Sequence, residues 1–153
     1  MRICTLRKEK QDCPSCSTMR QQKPPLRDFR DLRAWRLGVD IVEQVYHLTK
    51  QFPRRDAAGI VTQMQQAAVA IPANIAAGHV HTQPRDYLQY VLLARAALAE
   101  LITSLEVTDR LKYCPAKETR SLHTQCDLLG EQLIHLQTVL TRKPAGKLKN
   151  AKE

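Results

Sequence analysis

The sequence predicts an all-α protein: an antiparallel up-down-up-down four-helix bundle over residues 28–141, flanked by disordered basic tails at 1–27 and 142–153. Three observations carry this. Apolar residues recur at three- and four-residue steps in four long stretches, the spacing of one helix face. Only a few residues separate the stretches, near 52–56, 78–83 and 112–115, so successive helices must run antiparallel. No stretch alternates as a half-buried strand would. A chain of 153 residues suits one domain with a real core, burying roughly 70% of its unfolded surface.

The first helix is expected from about Phe29 to Gln51, with Asp28 as N-cap. Its seam reads Leu32, Trp35, Val39, Val42, Tyr46 and Thr49, and Phe52-Pro53 stops it. The second covers about Asp56 to Ala77, with Gly78 as C-cap and a face of Ile60, Met64, Ala67, Ile71 and Ile75. Pro72 interrupts that face. An interior proline lacks a donor and clashes with the carbonyl four residues back, costing about 3 kcal/mol. A kink is therefore expected, leaving the carbonyl near Ala68 without its usual partner, with Asn74 satisfying backbone exposed by the kink or by an adjoining helix. Gln63 opens the same motif. The third helix follows Thr82 and Pro84 and runs to about Leu111 on a seam of Tyr87, Val91, Ala94, Leu98, Leu101 and Leu105. The fourth starts at Pro115, a good first-turn residue, and carries Leu122, Cys126, Leu129, Leu133, Leu136 and Leu140 to about Thr141.

From Tyr87 to Ile102 only Gln89, Arg95 and Glu100 are strongly polar. A helix apolar on most sides needs burial on most sides. The third helix is thus the candidate subunit interface, through Tyr90, Leu93, Arg95, Ala97 and Glu100. Arg95 and Glu100, five residues apart, do not face one another on one helix, so either a pairing across a subunit boundary or simple solvent exposure of each is expected.

Ala70-Ile-Pro-Ala-Asn-Ile-Ala-Ala-Gly78, Asp28-Phe-Arg-Asp-Leu-Arg-Ala-Trp35, Phe52-Pro53 and the Glu100-Leu101 ending occur in one order. Together they resemble the bacterial four helix bundle protein family, first noticed as reading frames in intervening sequences of 23S ribosomal RNA genes. The resemblance spans about Phe29 to Leu140, and Met19 offers a shorter, family-like start. The family is similar in turn to the accessory variability determinants of diversity-generating retroelements. That likeness implies a homopentamer that binds nucleic acid and a reverse transcriptase. Ala77 stands where the family usually has Glu, Ala96-Ala97 where it has Gly-Ser, and His81 where Arg is common.

The net charge of +9 lies entirely in the tails. Residues 1–27 carry seven basic against two acidic side chains and 141–153 five against one, whereas 28–140 hold twelve of each. Basic tails attract polyanions by counterion release without reading sequence. The candidate nucleic-acid contacts, to RNA or DNA, are Arg30, Arg33, Arg36, Arg54 and Arg55 in the bundle, with Arg142, Lys143, Lys147 and Lys149 in the tail. The start of the chain shows no apolar signal core, and no stretch approaches the ~20 apolar residues of a membrane span. Five cysteines without a secretory signal fit a reducing cytoplasm.

Catalytic signatures are missing from the pattern: there is no phosphate-cradling glycine loop, HExxH or paired-acid motif, and no cofactor motif. Cys13-Pro-Ser-Cys16 is half of a zinc spacing with no second close pair. His79 and His81 flank the second turn and read as polar turn residues, with a weak metal pair as the alternative. The reading is a non-enzymatic, homo-oligomeric bundle that binds nucleic acid or a nucleoprotein partner with weak sequence specificity. The alternative is a protein–protein adaptor, for example for a reverse transcriptase, with no direct nucleic-acid role.

Overall fold

The computed structural model describes residues 28–53 and 57–142. The disorder expected at 1–27 and 142–153 falls outside the described residues, except at Arg142, which is the last residue of α4. A single 3-10 turn, Phe29–Asp31, leads into α1 (Arg33–Thr49), α2 (Ala57–Val80), α3 (Pro84–Leu111) and α4 (Ala116–Arg142). Each helix packs on the next and α4 closes on α1, with no contact across the diagonals among the described residues. That is the up-down-up-down bundle, and the described residues contain no strand.

Asp28 is an N-cap, but of the 3-10 turn and not of α1. Its carboxylate accepts the Arg30 backbone N–H at 3.0 Å, and Leu32 then takes an extended conformation before α1 begins. Phe29 folds back edge-on against Trp35, their ring centres 5.4 Å apart. Arg36 Nε donates to the Arg30 carbonyl at 2.7 Å. These contacts fix the turn at a chain direction that a continuous helix from Phe29 would not take.

The α1 seam is partly rotated from its expected register: Thr49 is buried and Leu32, Trp35 and Val42 pack half-buried against the core, but the two remaining positions turn outward. Ala34, Gly38, Ile41, Val45 and Leu48 are buried, whereas Val39 and Tyr46 stay 39% and 42% exposed. The reason is size. A Cβ placed on Gly38 would stand 3.5 Å from both Cβ and Cδ of Pro72. α1 therefore approaches the proline of α2 through its smallest residues, and bulk on the neighbouring stripe turns outward.

α2 runs through Pro72 and past Gly78 to Val80, so Gly78 is not a C-cap, and no described glycine has a positive φ. Its predicted face holds: Met64, Ala67, Ile71 and Ile75 are buried, joined by Ala68. The α3 and α4 stripes hold as well. Val91, Ala94, Leu98, Leu101 and Leu105 are buried on α3, and Leu122, Cys126, Leu129 and Leu133 on α4. Leu136 and Leu140 are only half-buried, because the last turns of α4 run beside the open end of the bundle. Lys112, with φ 56° and ψ 40°, ends α3 in the left-handed conformation that lets its N–H and that of Tyr113 reach back to Asp109 and Thr108 carbonyls.

Candidate functional site

The basic candidates are not equivalent. Arg30 pairs with Asp28 at 2.9 Å and lies over the Phe29 ring, 4.8 Å from its centre. The Arg30 backbone N–H and guanidinium hold the Asp28 carboxyl below its usual range. Arg36 reaches Asp31 at 3.4 Å as well as the Arg30 carbonyl. Arg33 is exposed with no partner among the described residues, and Arg142 is exposed at the last position of α4. Arg54, Arg55, Lys143, Lys147 and Lys149 lie outside the described residues. Within the bundle, two of the predicted cations are thus committed to their own turn.

The candidate interface residues of α3 separate into three directions. Arg95 turns toward α4, donating to the side-chain oxygen of Gln137. Glu100 turns toward α2, where Gln63 donates to it at 3.5 Å. The two therefore have separate intramolecular partners. Ala97, only 8% exposed, is a correction: it fills the core of its own bundle, because the small side chain lets α2 and α3 approach closely. Leu93 is 53% exposed and Tyr90 half-buried.

Charge is segregated around the bundle. α2 carries no Asp, Glu, Lys or Arg along its length, and α3 carries only Arg95 and Glu100 between Tyr87 and Leu105. Val69 and Ala73 of α2 and Leu92, Leu93 and Ala96 of α3 are exposed. α1 and α4 instead expose Arg33, Arg36, Asp40, Glu43, Lys117, Glu118, Asp127 and Glu131.

In the Pro72 motif, Ile71, Pro72 and Gly78 are buried. Asn74 Nδ2 donates to the Ala70 carbonyl at 2.8 Å, not to the carbonyl near Ala68. At helical spacing the carbonyl four residues back is the one its short amide can reach. Gly78 earns its place by packing. A Cβ there would lie 2.5 Å from Tyr87 Cδ2 and 2.8 Å from Tyr90 Cβ.

That close approach brings together residues the sequence kept apart. His81 stacks on Tyr90 with ring centres 5.0 Å apart and planes 19° from parallel, and His79 meets Tyr87 edge-on at 6.1 Å. Beside them a cleft of about 310 Å³ is lined by Leu32, His79, His81, Thr82, Tyr87 and the Leu136–Leu140 end of α4. The Tyr87 hydroxyl is buried there without a partner among the described residues, and burial raises its pKa. No spacing rule links a glycine to tyrosines nine and twelve residues later across a turn, so sequence reasoning missed this cluster.

The other reactive groups are held in unreactive forms. Burial pushes the Cys126 thiol up to about 12. Cys114 is raised by burial and then by Asp109 and Glu118, the opposite of an activated thiolate. His123 contacts Asp109 at 2.9 Å. Among the described residues no His, Cys, Asp and Glu cluster could hold a metal, and no helix is long and apolar enough to cross a membrane.

Bundle geometry, short turns and a proline-bearing second helix define a small four-helix bundle protein. The family model of the 23S rRNA-intervening sequence protein matches residues 30–135, and the chain belongs to that family. It is also similar in fold to a crystal structure of a protein of unknown function from the S23 ribosomal protein family of Bacteroides thetaiotaomicron. The TM-score is 0.64 at 16% identity, covering 68% of this chain and 97% of that one. None of the curated proteins matches significantly.

Proposed function

We propose that the protein is a non-enzymatic, homo-oligomeric bundle that binds nucleic acid or a nucleoprotein partner with weak sequence specificity. The segregation of charge carries this reading. A face with few charges can be buried without stranding many of them. On the outer faces of α2 and α3, Val69, Ala73, Leu92, Leu93 and Ala96 are exposed and Glu100 is the one exposed charge between Tyr87 and Leu105, so they offer a second copy of the chain such a contact. Five copies is the count that the resemblance to retroelement accessory proteins implies. The positive charge is reserved for the chain ends, where it meets phosphate without reading bases.

Fluorescence anisotropy with labelled RNA tests the nucleic-acid role. Full-length protein is expected to bind at ~50 mM salt and to lose most of its affinity at ~200 mM, as several phosphate contacts require. A version limited to residues 28–142 is expected to lose most binding even at low salt. No affinity of the full-length chain at ~50 mM salt would refute the role. One observation favours the adaptor reading: Arg30 and Arg36, although exposed, are each already paired with a carboxylate of their own turn, Asp28 and Asp31. In that case the charge-poor face would seat a protein such as a reverse transcriptase, and truncating the tails would change nothing.

A further inference from the structure

We propose that the end of the bundle where both chain termini emerge binds unpaired bases of single-stranded nucleic acid, with the stacked His81–Tyr90 pair as the base platform. This rests on the nucleic-acid reading above and gives it a place and a substrate class. The first support is where the charge attaches. Leu32, four residues after the first described residue, lines one cleft with Val139 and Leu140, just before the last, and with the α2–α3 turn. Residues 1–27 carry a net +5 and 143–153 a net +3, so eight of the nine net positive charges attach at this end.

The second support is the platform itself. His81 is exposed while lying nearly parallel to Tyr90. Next to it Val80 is 77% exposed, the most exposed large apolar residue described. A flat π-surface beside a positive field is how single strands are held without sequence preference. The rings are also preorganised. The missing side chain at Gly78 lets Tyr87 and Tyr90 pack directly on the end of α2, so little ordering is left to be done on binding.

The third support is what the platform asks of its ligand, a base face free to stack on the exposed His81 ring. In a duplex the base faces are already covered by their neighbours. The site therefore discriminates by strandedness, whereas the tails attract any polyanion.

The test uses full-length protein with a labelled twelve-nucleotide uridine strand and an RNA duplex of equal length, followed by anisotropy at ~50 and ~200 mM salt. His81→Ala is expected to weaken single-strand binding roughly tenfold, the scale of one lost base stack. Duplex affinity and the salt slope should not move, because phosphate contacts set them. Tyr90→Phe should keep single-strand binding and Tyr90→Leu should lose it, with helix content checked by circular dichroism. An unchanged single-strand affinity in His81→Ala, or an equal loss on both probes, would overturn the platform while leaving tail-mediated binding intact. If the wild-type chain binds neither probe at ~50 mM salt, the nucleic-acid reading itself fails.

Discussion

Gly78→Ala lowers the melting temperature by several degrees, whereas the same substitution at Gly59 raises it. Two effects compete at each site. Alanine gains about 1 kcal/mol over glycine in a helix interior. Against that, the new methyl must find room. At Gly59 nothing lies within 4 Å, so the gain stands. At Gly78 the methyl would meet a Tyr87 ring carbon at 2.5 Å and Tyr90 Cβ at 2.8 Å. The tyrosine ring can swing away, but Tyr90 Cβ is fixed to the α3 backbone, so the helices themselves must part. Overpacking of this kind costs about 1–3 kcal/mol. Because the 2.8 Å contact is fixed by backbone, the cost falls at the upper end of that range, and the net loss is about 2 kcal/mol, or about 4–8 °C for a domain of this size. Thermal denaturation followed at 222 nm checks both signs, and a Gly78→Ala protein as stable as the parent would show that the α2–α3 turn is not tightly packed.

Leu93→Glu is expected to convert the proposed assembly to monomers without unfolding the chain. Leu93 is half out of its own bundle, so a carboxylate there costs the isolated subunit little. Buried between copies, an unpaired carboxylate costs several kcal/mol at each contact. Glu43→Lys, on the charged face of α1, should leave the assembly untouched. Size-exclusion elution together with circular dichroism separates dissociation from unfolding. Unchanged elution of Leu93→Glu would place the interface elsewhere.

How much of this was legible depended on side-chain size. The α3 and α4 seams could be read because their buried positions carry leucine and valine, which mark a stripe unmistakably. The α1 seam could be read only in part, because Gly38 faces Pro72, and Val39 and Tyr46 offered a more apolar stripe one residue away. Pattern counts hydrophobicity, but helix approach is decided by the smallest residues at the contact. Gly78 was misplaced for a related reason: a glycine near a helix end usually supplies a left-handed cap, and only the tyrosines of the next helix reveal its steric role. The charge distribution was fully legible, since tail composition needs no structure. What the sequence could not show was that Leu32 and Leu140, near the two limits of the bundle, share one cleft with His81, which stacks on Tyr90.

The proposed assembly requires the charge-poor faces of α2 and α3 to be covered by further copies of the chain. Light scattering of nuclease-treated, full-length protein at micromolar concentration measures this directly. The expected mass is an integer multiple of 17.4 kDa, with five copies implied by the resemblance. A mass of 17.4 kDa, one chain alone, would contradict it.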